Sequence, residues 1–325
     1  MAWYLILLLC LGGLVLLCLL WILALASFGA HWACYPARHS RERCLQHDIE
    51  HGFYSRTYAE DLIKSGQPFS VNSPGGYRLC AMRFLKRGDS SSGVVILAHG
   101  FGCSMYTSFR YVALFQRLGF DCVIYDQPYH GESGGKFCTM GGLETGDLLV
   151  VAEEVRRSYP AKTVIGLHGE SMGAATVLNA LDSGFPFSFC IEDCGFGSAA
   201  EQARHLIQRY TLLFRRPVFC LMRYMIFRKT GVDYETVSPI RTVASENAAK
   251  IPVLFIHGEE DRFVPYKNLK QLYNSKKGPK SIYSVPGAKH AEALRVAPAG
   301  YDRAVRSFLK QYRIPCVLKS YDREL

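Results

Sequence analysis

A serine in a glycine-flanked turn, ten histidines and a scatter of carboxylates are the side chains that could do covalent chemistry in this chain. Ser171 lies in VIGLHGESMGAA (164–175), between Gly169 and Gly173, with an apolar run before it and small residues after it. A serine hydroxyl is a weak nucleophile until a neighbouring base takes its proton, so the serine alone implies little. Its setting implies more. A buried strand over 163–167 followed by a helix over 172–181 puts Ser171 in a sharp strand-to-helix turn, with its hydroxyl held above the sheet edge. The N–H groups opening that helix face the same point and favour developing negative charge.

The base must come from the histidines. His99, His168 and His257 each precede a glycine at a strand end and read as residues that hydrogen-bond backbone. His130, in PYHGESGG, reads as a loop-ordering residue; His31, His39, His47 and His51 lie in or near the segment after the apolar N-terminus, and His205 in a basic helical stretch. His290, in VPGAKHAEA, follows the last expected strand and precedes a polar turn and the final helix, which makes it the candidate general base. The acid that orients it is expected between nucleophile and base in chain order. Asp261, in FIHGEEDRFVP, is placed for this. Glu259 and Glu260 have the same chemistry with less apt spacing, and Asp193, in IEDCG, is the other candidate unless it only binds loop backbone. The oxyanion donors are expected to be the N–H of Met172 and that of Phe101, in AHGFGCS, where flanking glycines permit an unusual backbone path. Without the other elements, HGFG would be no more than a tight turn.

These residues need a scaffold. Apolar, β-branched runs at 93–98, 120–125, 163–167, 187–191, 251–256 and 281–285 read as strands, and 77–85 alternates as one. Helices are expected over 105–118, 142–159, 172–181, 266–274 and 300–312. Strands alternating with helices imply an α/β fold, a mostly parallel sheet flanked by helices. The alternation breaks after 189. Two apolar, basic helical segments divided near Pro217 fill 198–231, and no Asp or Glu occurs from 202 to 232. They read as a small helical cap inserted at about 198–245, whose basic face either is solvated or lies on anionic lipid.

Composition bounds the remainder. The chain has 325 residues and a formal net charge of +10, which fits an anionic membrane surface or nucleic acid. No helix-turn-helix, RNP-type or zinc-finger pattern accompanies the charge, so nucleic acid is not expected as a partner. The Leu-rich run from Trp3 to Phe28 carries no charge and reaches the roughly 20 residues that cross a bilayer. Trp3 and Tyr4 at one end, and Trp32 and Tyr35 at the other, suit an aromatic belt. A cleaved signal peptide is the rival, with Ala24-Leu25-Ala26 as the small-x-small site; the length of the run and the absence of a preceding Lys or Arg favour an anchor. The expected organisation is a transmembrane anchor over 1–29, a juxtamembrane connector with short helical turns over 30–65, an α/β domain over 66–313 and a C-terminal tail over 314–325. Arg38, Arg41 and Arg43 after the span place the domain on the cytoplasmic side. Twelve cysteines without metal-binding spacing fit reduced thiols there.

With HGFG at 99–102, DQPYHGESGG at 126–135, GESMG at 169–173, HGEEDRFVP at 257–265 and GAKHAEA at 287–293, the chain resembles the α/β-hydrolase superfamily over about 66–313. It is similar in particular to membrane-anchored bacterial serine hydrolases of the serine-aminopeptidase-like and Bem46-like group. The resemblance implies a Ser171–Asp261–His290 triad, an oxyanion hole at Phe101 and Met172, and no metal or organic cofactor. It implies cleavage of a carboxylic ester, a small molecule or a lipid or acyl ester, through an acyl-enzyme. An amide- or peptide-cleaving use of the triad and a catalytically silent binding protein are the alternatives. Neither the connector nor the cap carries a signature that names a substrate or an oligomeric state.

Overall fold

In the computed structural model, which describes residues 2–86, 88 and 91–317, the long apolar run is a single helix, α1 (Ala2–Cys34). Its most apolar 18-residue window has a mean hydropathy of 3.0 and none of that window is buried, so α1 is long and apolar enough to cross a membrane. The helix does not stop at 29. Ala26, Ala30, Ala33 and Cys34 form a buried stripe at helical spacing, by which its last turns dock on the protein. The segment expected as a connector with short helical turns is also more ordered than that. Two ten-residue helices, α2 (Arg41–Glu50) and α3 (Arg56–Ser65), start at Ser40 and Ser55, whose hydroxyls accept the N–H groups of Arg43 and Tyr58. They bury Cys44, Asp48, Ala59 and Leu62 against the domain.

Strand β1 (Gln67–Asn72) was not legible as a strand; it lies on the sheet edge and pairs antiparallel with β2 (Arg78–Phe84). The parallel part follows as β3 (Gly93–Ala98), β4 (Phe120–Tyr125), β5 (Val164–Glu170), β6 (Phe189–Asp193), β7 (Val253–Gly258) and β8 (Lys280–Val285). Among the described residues they form one eight-stranded sheet in the order β1-β2-β4-β3-β5-β6-β7-β8, with β2 antiparallel to β4. The helices on its faces are α4 (Phe109–Arg117), after a 3-10 turn at Met105–Ser108, then α5 (Leu143–Ser158) and α6 (Met172–Ala180). Period-2 alternation sorts β3 between two cores. Val95 and Leu97 pack with Phe109, Phe115 and Phe308, whereas Val94, Ile96 and Ala98 pack with Leu148, Val177 and Leu269.

Between β6 and β7 come α7 (Ala199–Ile207), α8 (Arg215–Thr230), α9 (Pro239–Thr242) and α10 (Glu246–Ala249). The break between the two cap helices is the stretch 208–214. Pro217 does not divide them: it sits in the first turn of α8, where its missing N–H had no helical partner to lose. The cap is also less uniformly cationic than its sequence suggests. Arg204 pairs with Glu201 and Glu235, and Arg223 with Asp233, acids just outside the stretch that lacks them. A third apolar cluster joins the cap to α1 and the site, through Ala30, Met172, Phe196, Phe219 and Met222. The chain ends with α11 (Lys267–Ser275), α12 (Ala293–Val296) and α13 (Pro298–Gln311). Of the expected tail, Ile314 is buried and the Val317 N–H bonds Leu118 O at 2.8 Å; 318–325 lie outside the described residues.

Candidate active site

The C-terminal ends of β5, β7 and β8 place Ser171, Asp261 and His290 together. Strand β5 runs through Glu170, so Ser171 is the first residue beyond the sheet and the residue before α6. Its φ of 57° and ψ of −113° are strained for a residue with a Cβ, and its N–H is anchored to Asp193 O at 2.8 Å. The flanking glycines make this turn possible. A Cβ on Gly169 would lie 2.2 Å from Gly173 O, and one on Gly173 would lie 2.0 Å from Ala98 O. Only residues without side chains let α6 descend so close to β3 and β5.

His290 Nε2 is 2.9 Å from Ser171 Oγ, and its Nδ1 is 2.7 Å from Asp261 Oδ2. Asp261 is held from all sides. Its Oδ1 accepts the N–H groups of Phe263 and Val264 at 2.8 and 2.9 Å, and Oδ2 also lies 3.2 Å from His257 Nε2. Burial pushes this carboxyl up, but the hydrogen bonds and charges of His257 and His290 outweigh it and hold the pKa at about 2. A permanently ionised Asp261 fixes the proton on His290 Nδ1 and leaves Nε2 free to accept from the serine.

Asp193 does not reach this histidine. It is buried behind the Ser171 turn, where Tyr111 Oη approaches it at 3.4 Å. Burial, reinforced by Glu170 and Glu192, pushes it up to about 8. Glu259 and Glu260 are exposed, with their backbone N–H groups bonded to Val285 O and Ala288 O.

Phe101 lies between Gly100 and a left-handed Gly102 at φ 71°. Two buried histidines fix this loop. His130 accepts the Gly102 N–H at Nε2 (3.0 Å) and donates from Nδ1 to Pro128 O (2.8 Å). His99 accepts the Gln127 N–H at Nε2 and donates from Nδ1 to Gly100 O. Burial lowers His130 to about 4 and His99 to about 3, so both stay neutral and keep these tautomers. Among the described residues neither the Phe101 nor the Met172 N–H has a hydrogen-bond acceptor in the protein, as donors reserved for a substrate oxygen would require.

A buried network behind the turn escaped sequence reasoning. Glu170 accepts from Arg110 at 3.1 Å and from Tyr111 Oη at 2.5 Å, and Arg110 also pairs with Asp48 of α2. Arg110 gave no signal in the sequence, since it shares a face of α4 with Ala113 and Arg117, away from Phe109, Val112 and Phe115. The pocket over Ser171 has a volume of about 410 Å³ and is lined by Gly100, Phe101, Phe263 and His290, with His47 and Phe53 from the α2 region. Cys194 offers a thiol whose sulfur, with ligand atoms of Asp261 and His290, forms a group within 4.8 Å. A metal there would compete with the Ser171–His290–Asp261 hydrogen bonds for the same atoms.

Comparison with known proteins agrees with this architecture. A family model described as the alpha/beta hydrolase fold matches residues 93–184. The chain is 28% identical over 292 residues to the uncharacterized protein YqkD of Bacillus subtilis, covering 89% of this chain and 93% of that protein. It is 27% identical over 204 residues to the lysophosphatidylserine lipase ABHD12 of Danio rerio, covering 60% of this chain and 50% of the relative. The esterase Pf2001 of Pyrococcus furiosus superposes with a TM-score of 0.64 at 20% identity, over 85% of this chain and 97% of that one. The strand order, the strained turn after β5 and the matched region from β3 to α6 give this chain the α/β-hydrolase fold.

Proposed function

We propose that the chain is a membrane-anchored serine hydrolase that cleaves a carboxylic ester. One observation carries the reading: Ser171 Oγ, His290 and Asp261 form a continuous hydrogen-bonded line, 2.9 Å and then 2.7 Å, at the C-terminal edge of the sheet. In this reading Ser171 Oγ attacks the ester carbonyl while His290 Nε2 takes its proton. The carbonyl oxygen, now an anion, is received by the N–H groups of Phe101 and Met172. His290 then protonates the departing alcohol, and a water molecule, deprotonated by His290, releases the acid from Ser171. Asp261 stabilises the imidazolium throughout. The names of similar proteins, an esterase and a lysophosphatidylserine lipase, support ester cleavage. α1 supplies the anchor, and the arginines that follow it favour a cytoplasmic domain.

A fluorophosphonate probe tests the nucleophile. The expected result is labelling of the wild-type chain that Ser171→Ala abolishes; labelling that survives the substitution assigns the nucleophile elsewhere, and a wild-type chain that is never labelled points to a silent binding protein. Turnover of a panel of p-nitrophenyl esters, monoacylglycerols and aminoacyl amides, with Ser171→Ala as blank, separates ester from amide cleavage. Protease accessibility on intact cells tests the orientation.

A further inference from the structure

We infer that α1 is a wall of the substrate site as well as an anchor: the cavity between α1 and the cap receives the acyl chain of a membrane lipid, which enters from the bilayer to reach Ser171. This rests on the serine-hydrolase reading above and names its substrate class.

The cavity has a volume of about 210 Å³ and an apolar lining. One wall is Leu25, Phe28 and Trp32 of α1; the other is Leu206 of α7 with Val218 and Met222 of α8. It adjoins the catalytic pocket. Phe263 lines both, and its ring centroid lies 4.9 Å from that of His290. On the other flank Trp32 packs on Phe101, the candidate oxyanion residue. A chain lying along α1 would therefore bring its carboxyl end to the histidine and the oxyanion loop.

The outer end of this cavity faces the membrane. From Ala2 to Leu25 α1 is largely exposed and apolar, about 35 Å of helix at 1.5 Å per residue, enough to cross the hydrocarbon. Leu25 thus marks where the span ends and the cavity begins. Tyr210 of the cap lines the same cavity as Leu25. Tyr210, Leu212 and Leu213, between α7 and α8, are exposed apolar side chains beside Arg209, Arg215 and Arg216. Apolar tips with basic neighbours fit a surface that dips below anionic headgroups. A water-soluble short ester would need neither the apolar wall nor its position at the bilayer; a lipid acyl chain needs both.

The test uses the full chain in phosphatidylcholine–phosphatidylglycerol vesicles. Ala203→Phe and Leu25→Trp narrow the cavity from opposite walls. For each variant, kcat/KM is measured on 1-palmitoylglycerol and 1-butyrylglycerol and expressed as a ratio, which does not depend on the fraction of protein that folds. The palmitoyl-to-butyryl ratio is expected to fall at least about tenfold, as hydrophobic pockets discriminate chain length on that scale. A ratio that stays within about twofold of wild type overturns the inference. Photolabelling of Ser171→Ala with a diazirine-bearing palmitoyl lipid gives a readout independent of turnover. Cross-links within 25–33 and 199–222 support the pocket; cross-links confined to 2–24 refute it. A wild-type chain that hydrolyses neither ester and takes no fluorophosphonate defeats the hydrolase reading instead, and the photolabel still decides the pocket.

Discussion

The indole of Trp32 lies against the ring of Phe101, centroids 4.6 Å apart and planes inclined by 46°. Trp32 belongs to the last turn of α1, and Phe101 carries a candidate oxyanion N–H, so the apolar helix and the proposed chemistry share a contact. The contact continues on either side. Cys34 O accepts the Cys138 N–H at 2.9 Å, and the Arg38 guanidinium donates to Gly131 O and Ser133 O at 2.8 Å each. The end of α1 and the residues after it thus bind both the Phe101 loop and the 131–138 loop.

Trp32→Ala should therefore impair turnover without touching the triad. Losing an oxyanion donor outright costs on the order of a hundredfold or more in kcat; loosening its loop should cost about tenfold. Steady-state kinetics on a short ester check this, with a lowered kcat at little-changed KM. Trp32→Phe, which keeps an aromatic ring against Phe101, should restore most of the loss.

Truncation separates the two ends of α1. Residues 2–24 are largely exposed, whereas Ala26, Ala30, Ala33 and Cys34 are packed on the cap. Removing 1–24 should leave a folded protein that keeps its short-ester turnover. Removing 1–34 strips one wall of the third apolar cluster and should lower the melting temperature and expose the cap's apolar face to dye binding. Equal behaviour of the two truncations would mean that the docked stripe contributes nothing to stability.

The strained Ser171 offers a stability signature independent of activity. At φ 57° a Cβ is unfavourable, and glycine is the residue that relieves it. Ser171→Gly and Ser171→Ala should both be inactive, but the glycine variant should be the more stable by about 1 kcal/mol, a shift of roughly 2 °C in melting temperature.

Much of this architecture is legible from sequence because it depends on patterns that local physics enforces. Strands β3 to β7 are buried on both faces and read as short apolar runs. Ser171, Asp261 and His290 follow strand ends, and Ser171 is flanked by the glycines that the close approach of α6 requires. What was not legible depends on context. β1 is QPFSVN, an exposed edge strand with a proline, and its alternation, confined to Phe69 and Val71, is too short to stand out. α2 and α3 are short and polar, and are held by capping and by contacts with the distant α4, including the Arg110–Asp48 pair. Pro217 looked like a break because proline usually ends a helix, but in a first turn it does not. The acids that neutralise Arg204 and Arg223 come from outside the basic stretch, and only folding reveals the pairing.

Asp261 links the site to acid stability. Its carboxyl is held at about 2 in the fold, against an ordinary value near 3.8. A depressed carboxylate stabilises the fold above its unfolded pKa, and that contribution, about 2 kcal/mol, is lost as pH falls from about 4 through 2. Asp261→Asn removes this dependence and inverts the preferred tautomer of His290. Its kcat should drop by roughly four orders of magnitude, with fluorophosphonate labelling slowed in parallel. Denaturant midpoints measured between these pH values check the first effect, and labelling rates the second.

Glu192 makes the opposite prediction. It is fully buried on β6, where its Oε2 accepts the Gly195 N–H at 2.9 Å and its Oε1 has no partner among the described residues. Burial pushes its pKa up to about 8, and the Gly195 bond offsets this only in part. An unfolded glutamate ionises near 4.3, so between about 4 and 8 the folded chain binds a proton that the unfolded chain has released. Stability must then fall as pH rises through that window. Glu192→Gln keeps the acceptor for Gly195 and cannot ionise, so its stability should decline less between pH 5 and 9 than that of the wild type. Asp193, also raised to about 8, remains in the variant and leaves a residual slope. Urea titrations at the two pH values measure the difference; parallel pH profiles for variant and wild type would show that Glu192 is not protonated in the fold.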